Sequence, residues 1–289
     1  ANGTIDGGAL TITTDAGDIY FANSLIQTNG STGRGGSIGL SATNITQITN
    51  SSVTANGYSQ GGRILIGNDA SNGSLPFALV TSLDEQTTIS TAQLDPNLAN
   101  KQGGFIETSG HTLNLLSSIN AGRGGMWLID PVDITIDSSL ASAISTALTN
   151  SSVTLNTSGS GTCTNVSCPS FSSGSGDITV TSAITKIGAT ATTLTLTADR
   201  NIVVNAGITN STGGNLSLAF TATAGNISLN SAISVLGSID LSSPASGKVT
   251  NIGADITVGG DLVFASNAVL TANTTLTSTS GNIAFRGKV

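Results

Sequence analysis

The sequence predicts an all-β protein built as a parallel β-helix (β-solenoid), with about 20–25 residues in each coil. Two repeated patterns and the composition lead to this prediction. The first pattern is an acidic residue or Asn, then Ile, any residue, an apolar residue, three small residues and a further apolar residue. It recurs at positions 18–25, 177–184, 201–208 and 226–233. The last three copies follow one another at a nearly constant interval of roughly 25 residues, which is typical of stacked structural repeats.

The N-terminal part of the chain carries the second pattern, in which a glycine pair precedes each predicted strand. The pairs are Gly35-Gly36, Gly61-Gly62, Gly103-Gly104 and Gly124-Gly125. The interval between the second and third pairs is the longest, and we interpret it as two coils. Apolar residues alternate with small or polar residues after each pair, which predicts strands with one buried face. The glycines are expected to supply positive φ angles at sharp corners.

Composition indicates a folded chain with an unusual surface. Hydrophobic residues make up 38% of the 289 residues and charged residues 9%, and there are 36 glycines. An ordinary domain is about a quarter charged, so hydroxyl and amide groups cover this surface instead. The alternation of Ile, Val and Leu argues against disorder. An antiparallel β-sandwich is the alternative fold, but it is typical of chains with Asn-Gly hairpins and more aromatic residues than the 3% present.

The charge excludes some partners. The net charge of −7 argues against nucleic acid and against anionic membrane surfaces, because both are bound by clustered Lys and Arg. No apolar run approaches the length of about 18 residues that a membrane-spanning helix needs. We also expect the chain to be a segment of a longer polypeptide.

Three regions are predicted along the chain: a β-helix over 1–137, an insert without the repeat over 138–176, and a second β-helix over 177–289. The insert is expected to begin with a short helix that Ser138-Ser139 would cap. The helix would be followed by a Gly/Ser-rich loop. Its apolar face would comprise residues at positions i, i+4 and i+8, namely Leu140, Ile144 and Leu148.

The two cysteines, Cys163 and Cys168, lie in the Gly/Ser-rich loop with four residues between them. A zinc site needs four ligands, and His111 is the only histidine. A redox pair is normally spaced as Cys-x-x-Cys. We therefore predict a small disulfide between Cys163 and Cys168, formed in an oxidising compartment, with a reduced and inert pair as the alternative.

Enzymes built on this fold need clustered carboxylates with basic partners, and only one dense acidic group occurs here. It consists of Asp130, Asp133 and Asp137. On a strand, Asp133 and Asp137 would share one face and Asp130 would lie on the other. A calcium site is one interpretation, because Ca²⁺ prefers oxygen ligands. The alternative is that Asp130-Pro131 turns the chain and the other two carboxylates lie in solvent. We expect no catalytic, cofactor or metal site.

Other distinctive residues also have structural interpretations. His111 is expected at a corner or in a ladder of stacked side chains, and Trp127 is expected to plug the core or cap its end rather than to serve as a platform for sugars. Arg34 and Arg123 lie in matching Gly-Arg-Gly-Gly corners and would stack as a small basic step. The Thr-x-Thr run at positions 193–197 resembles the arrays of ice-binding solenoids, but such runs do not recur in register at successive copies.

Residues 103–136 read GGFIETSGHTLNLLSSINAGRGGMWLIDPVDITI. This run resembles the end of the conserved N-terminal region of the filamentous haemagglutinin-like and high-molecular-weight exoproteins of bacterial two-partner secretion. The blocks at 104–111 and 127–131 carry the resemblance. The other coils agree only as a generic β-helix, and the Asn-Pro-Asn-Gly secretion motif of the family is absent from this sequence.

The resemblance implies a filamentous adhesin of Gram-negative bacteria. Such proteins pass unfolded through a dedicated outer-membrane translocator and fold outside into a long right-handed parallel β-helix. They are secreted or held at the bacterial cell surface, and they attach to host cells, other bacteria or the biofilm matrix. Residues 1–137 would then overlap the end of the conserved exoprotein region, and 177–289 would be shaft.

The predicted function is a secreted, non-enzymatic β-helical shaft segment of such an adhesin. Its partners would be the translocator and a surface receptor or polysaccharide. The first alternative is a self-assembling extracellular fibre whose subunits associate end to end through open β-helix edges. The second alternative is a β-helical enzyme that acts on polysaccharides.

Overall fold

The computed structural model describes residues 1–70, 73–98, 102–157 and 174–289. Cys163 and Cys168, and with them the predicted disulfide, lie outside the described residues. The chain divides into two compact units. Within the described residues, the first comprises residues up to 131 together with 150–153, and the second comprises 132–149, 154–157 and 174–289.

The first unit is a parallel β-helix of three-strand coils. Its strands are β1 (Ala9–Thr14), β2 (Ile19–Ala22), β3 (Leu25–Gln27), β4 (Ser37–Ala42), β5 (Ile45–Thr49), β6 (Ser52–Thr54), β7 (Arg63–Ile66), β8 (Val80–Leu83), β9 (Thr88–Ser90), β10 (Phe105–Gly110), β11 (Thr112–Leu115), β12 (Ser118–Asn120) and β13 (Met126–Pro131). Every third strand joins the same sheet, in the orders β1-β4-β7-β10-β13, β2-β5-β8-β11 and β3-β6-β9-β12.

The second unit repeats this plan after a short helix. It contains β14 (Ile134–Ile136), α1 (Ser138–Ala147), part of β15 (Ser152–Asn156), β16 (Ile178–Val180), β17 (Ile184–Thr185), β18 (Thr192–Ala198), β19 (Ile202–Val204), β20 (Ile208–Thr209), β21 (Leu216–Ala222), β22 (Ile227–Leu229), β23 (Ile233–Val235), β24 (Ile239–Ser242), β25 (Val249–Ile252), β26 (Ile256–Val258), β27 (Leu262–Phe264), β28 (Asn267–Leu270), β29 (Leu276–Ser278) and β30 (Ile283–Phe285). Its strands stack as β14-β16-β19-β22-β25-β28, β17-β20-β23-β26-β29 and β18-β21-β24-β27-β30. The predicted all-β parallel fold with one short helix is confirmed.

Aliphatic ladders form the core of each unit. Alternate residues of each strand point inward, and equivalent positions of successive coils are in register. One ladder of the second unit runs through Ile184, Ile208, Ile233 and Ile256. All four side chains are at most 1% exposed. Burying each one stabilises the fold by about 1.5–3 kcal/mol, so the ladders are the main source of stability.

The coil between the second and third glycine pairs is longer than predicted. β10 pairs directly with β7, so residues 61–103 form one coil and not two. Most of the excess length lies between β7 and β8. There, residues 67–70 and 73–79 cross the outer face of the sheet β1-β4-β7-β10-β13, which we call the first sheet. We call these residues the strap. Dividing this interval by the regular repeat length therefore gave two coils where the structure has one.

The glycine pairs mark the corners as predicted, but for a different physical reason. Of the eight glycines, only Gly124 has a positive φ, at 75°. The others are required because nearby backbone, for most of them that of a neighbouring coil, lies too close for a side chain. A Cβ on Gly35 would lie 2.0 Å from the carbonyl oxygen of Ala55. A Cβ on Gly61 would lie 1.8 Å from that of Thr91.

Side-chain oxygens connect the corners of successive coils. The Asn2 Oδ1 accepts a hydrogen bond from the Asn29 N–H, and the Asn29 Oδ1 accepts one from the Asn56 N–H, both at 2.8 Å. In the second unit, Asp177 accepts from the Asn201 N–H at 2.9 Å, and Asn201 accepts from the Asn226 N–H at 3.0 Å. The acidic or Asn residue that opens each repeat therefore satisfies a backbone donor of the following coil.

The helix α1 follows the prediction except at its cap. Leu140, Ile144 and Leu148 are buried on one face, as expected. The N-cap is Asp137 and not Ser138-Ser139. The Asp137 Oδ1 accepts hydrogen bonds from the Ser139 and Leu140 N–H groups at 3.1 and 3.0 Å. A carboxylate suits this position because it satisfies free N–H groups and interacts well with the helix dipole.

None of the described residues belongs to a helix with the length and apolarity needed to cross a bilayer. In β18 the outward Thr195 lies beside Ala219 of β21, so the threonine array does not continue in register, as the sequence indicated.

Candidate functional site

The three aspartates considered for calcium have separate structural roles. Asp130 is part of β13, and Asp137 caps α1. Asp133 accepts hydrogen bonds from the Ser175 and Asp177 N–H groups at 3.0 and 2.9 Å. The expectation that Asp133 and Asp137 share a strand face was wrong, because β14 ends before Asp137. The alternative that Asp130 turns the chain was also wrong. Among the described residues, no three His, Cys, Asp or Glu side chains are placed to hold a metal ion.

Trp127 lies in the core, as predicted. Its side chain is fully buried, and its Nε1–H donates to the Thr108 Oγ1 at 3.0 Å. His111 follows β10 at a corner, where its N–H donates to the Ala78 carbonyl oxygen at 2.9 Å. Both residues stabilise the coil stack.

The predicted basic step is not formed. Arg34 and Arg123 occupy equivalent corner positions, but Gln60 and Gln102 occupy that position in the two coils between them. The two guanidinium groups are therefore three coils apart, at roughly 4.8 Å per coil. The matching motifs identify equivalent corners, but they do not make those corners neighbours in the stack.

A pair of carboxyl groups on the outer face of the first sheet is the most unusual chemical feature of the first unit. Ser109 of β10 lies opposite Asp130 of β13. Glu107 is two residues before Ser109, so Glu107 and Asp130 point to the same side of the sheet. Glu107 is completely buried, and Asp130 is half-buried. Burying two acids on one sheet face costs free energy unless their charges are neutralised or paired. Acids in such environments are typical of functional sites, so this pair is the candidate functional site.

The strap covers Glu107. The Glu107 Oε1 accepts hydrogen bonds from the Ala70 N–H of the strap at 2.8 Å and from the Ser109 Oγ at 2.9 Å. The Glu107 Oε2 is buried and has no hydrogen-bond partner among the described residues. One oxygen of the carboxyl group is therefore satisfied by the strap and the sheet, and the other is not.

A basic group near the pair is already engaged. The Arg63 Nη2 lies 2.9 Å from the Asp69 Oδ1, and the Arg63 guanidinium also lies 5.0 Å from the ring centroid of Phe105. Asp69 belongs to the strap and also accepts a hydrogen bond from the Ser74 Oγ at 2.5 Å. Arg63 therefore fastens the strap through Asp69, and it compensates Glu107 only partly.

The environment raises the pKa of both acids. Burial is the main cause for Glu107, and the hydrogen bonds from Ala70 and Ser109 oppose it. Burial, followed by the charge of Glu107, raises the pKa of Asp130 to about 7. The pair is thus able to hold a proton near neutral pH, which isolated carboxyl groups do not.

Sequence reasoning missed Glu107 and the strap. Glu107 and Asp130 each lie in one of the two blocks that resemble the exoprotein family, at 104–111 and 127–131. Glu107 and Asp130 are about one coil apart along the chain. This spacing could have indicated that the two acids lie on neighbouring strands. The strap carries no repeat, and nothing in its sequence indicates that it covers an acid.

The second unit contains a buried cation, Lys186. It is 1% exposed, and its Nζ donates to the carbonyl oxygens of Gly188 and Gly214 at 3.1 and 2.9 Å. It occupies the ladder position that Asn210 fills in the next coil. Burial lowers the pKa of Lys186, because desolvation disfavours the charged form.

The Lys186→Met variant is expected to differ from wild type in its pH dependence. The unfolded lysine keeps its proton up to about pH 10.5, whereas the folded one loses it earlier. Wild type should therefore gain stability relative to the variant as pH rises from the lowered pKa towards 10.5. Urea unfolding followed by circular dichroism at several pH values measures this. Lys288→Met, at an exposed lysine, is the control, and parallel profiles for wild type and Lys186→Met would contradict the expectation.

Comparison of the chain with protein-family models, with curated proteins and with solved structures gave no match.

Proposed function

We propose that this chain is a secreted, non-enzymatic β-helical shaft segment of a two-partner secretion exoprotein that attaches bacteria to cells or to biofilm matrix. The observation that supports it best is the stacking of parallel coils around unbroken aliphatic ladders in each unit. Such stacks expose long regular surfaces suited to binding and display. The resemblance of residues 103–136 to the exoprotein family points to the same function.

The mechanism is mechanical. Backbone hydrogen bonds between coils, together with the corner bonds of Asn29 and Asn201, resist displacement of one coil against the next. Few charged residues, 9% of the chain, also suit passage of the unfolded polypeptide through a narrow translocator. Once outside, each coil would fold on the edge that the previous coil presents.

Export through a translocator is the first test. The chain is fused behind the secretion domain of a known two-partner exoprotein and expressed with the outer-membrane partner of that exoprotein. We expect a protease-resistant product in the medium. Gly207→Ala, which adds a methyl group at ordinary contact distance from Ala232, should behave like wild type. Retention of both wild type and a Cys163→Ser/Cys168→Ser variant in the periplasm would contradict the proposal.

Attachment is the second test. Beads coated with the folded chain are incubated with a panel of cultured cells, bacteria and matrix polysaccharides. Beads carrying wild type or Gly207→Ala should be retained more strongly than beads carrying Gly61→Ala, whose coil corner cannot close. Equal retention of all three kinds of bead would count against a role in attachment.

A polysaccharide-active enzyme is the second candidate. It is favoured by Asp130, whose pKa of about 7 suits a general acid. Turnover of acidic polysaccharides that is lost in Asp130→Asn and kept in Asp133→Asn would support it. Absence of turnover in wild type would leave the shaft as the function.

A further inference from the structure

Backbone hydrogen bonds hold the two ends of the strap, from the Gly67 N–H to the Leu40 carbonyl oxygen and from the Leu79 N–H to the Thr43 carbonyl oxygen, and side chains fasten its middle. The Ser41 Oγ donates to the Pro76 carbonyl oxygen at 2.5 Å, and Leu75 packs on the sheet above Gly39. The Ala70 N–H reaches Glu107, and Asp69 reaches Arg63. Leu75 is 4% exposed and Asp69 is 3% exposed, so both depend on the strap remaining closed.

Two of these contacts involve carboxyl groups, and the charges around them do not balance. The groups that face Glu107 are Arg63 from β7, Asp69 from the strap and Asp130 from β13. Arg63 pairs with Asp69 and acts on Glu107 only from a distance, and no other cation of the described residues acts on either acid. Ionisation of both would place two negative charges on the same face of the sheet, and the one on Glu107 lies beneath the strap with a buried oxygen that has no partner among the described residues.

A proton is the counter-ion that fits this geometry. Calcium needs about six to eight oxygen ligands, and two carboxyl groups supply too few. One proton on the pair removes the repulsion between the two charges and needs no further ligands. We propose that a proton held by Glu107 and Asp130 keeps the strap closed on the first sheet, and that loss of this proton above neutral pH releases it.

The direction of the pH effect follows from linkage. Both acids have a raised pKa in the closed state, and opening exposes them to water, where each ionises readily. The closed state therefore binds more protons than the open state, so closure is favoured at low pH and weakens as pH rises through about 7. Between the ordinary pKa of an exposed carboxyl group, about 4, and about 7, the opening constant rises by up to about tenfold per pH unit, and it levels off once the closed state has also lost the proton.

Hydrogen exchange of the purified full chain tests this proposal. After correction for intrinsic exchange rates, the protection of peptides that contain Ala70 should fall on the order of tenfold between about pH 6 and about pH 8.5. Peptides from β18 should show no such fall. Glu107→Gln carries no charge and keeps an oxygen acceptor for the Ala70 N–H, so its strap should stay protected at both pH values.

Control variants distinguish the shared proton from a general effect of charge and from a bound metal. Glu85→Gln makes the same chemical change at an exposed acid and should behave as wild type. Asp130→Asn is a second variant that should flatten the pH profile if Glu107→Gln fails to fold. Unchanged protection of wild type across the pH range, or an undiminished fall in a folded Glu107→Gln, would overturn the proposal. Protection restored at high pH by excess CaCl₂ in wild type alone would assign the pair to a metal cation instead.

Discussion

The variant Gly61→Ala is expected to lose much of the stability of the first unit, because the added methyl group has no space at the coil corner. Its Cβ would lie 1.8 Å from the Thr91 carbonyl oxygen and 2.4 Å from the Gly104 backbone nitrogen. Both neighbours are backbone atoms and cannot rotate away. Relief requires that two coils move apart, so we expect a loss of more than about 3 kcal/mol in the free energy of unfolding.

Trp127 provides the readout for this variant. It is the only tryptophan, and it is buried in the first unit, so its fluorescence reports unfolding there. Urea titrations of wild type, Gly61→Ala and Gly207→Ala give the comparison. Gly207 lies in the second unit, so Gly207→Ala is followed by circular dichroism, and it should remain close to wild type because its nearest neighbour would be 3.4 Å away. If the free energy of unfolding of Gly61→Ala lay within about 1 kcal/mol of that of wild type, the conclusion that the coils approach closely at this corner would be wrong.

The variant Trp127→Ala is expected to lose about 3–5 kcal/mol, since it removes the largest fully buried side chain of the described residues. The cavity would open between coils whose backbones are tied by regular hydrogen bonds, so collapse around it is limited. Circular dichroism during urea unfolding measures the loss.

Trp127→Phe separates packing from hydrogen bonding. It retains an aromatic ring but removes the donor to the Thr108 Oγ1, a buried oxygen. We expect a smaller loss, in which the missing hydrogen bond accounts for about 1 kcal/mol. Thr108→Val in the Trp127→Phe background should recover part of it, because it removes the oxygen left without a donor. A Trp127→Ala variant as stable as Trp127→Phe would show that the ring contributes little to packing.

The sequence predicts the parts of this fold that repeat. The Ile positions of the first repeated pattern form the ladders, and the glycine pairs mark corners, because both features recur wherever the same local geometry recurs. The apolar face of α1 was also predictable from the spacing of Leu140, Ile144 and Leu148. The cap was not, since Asp137 and Ser138 are both good capping residues and tertiary packing decides between them.

The parts that do not repeat were beyond sequence reasoning. Lys186 occupies a position that is apolar in later coils, where Val235 and Val258 lie. Its burial depends on carbonyl groups of Gly188 and Gly214, which the local sequence does not identify. Glu107 likewise belongs to an ordinary strand pattern. Its unusual environment comes from the strap that crosses the sheet. Ala70 of the strap, which contacts Glu107, lies 37 residues before it in the chain.

The nearest-neighbour stacking of strands has a consequence for how such a chain can change in evolution. Each strand of β19, β22 and β25 pairs only with the strands immediately before and after it in the sheet. Duplication of residues 201–225 would therefore insert one whole coil. Each strand on either side of the insertion would again find an equivalent strand to pair with. Insertion of a single residue within β22 would instead invert the alternation of its side chains and expose the ladder. The architecture therefore has no intrinsic size, and tandem duplication of whole coils can adjust its reach without any new packing solution.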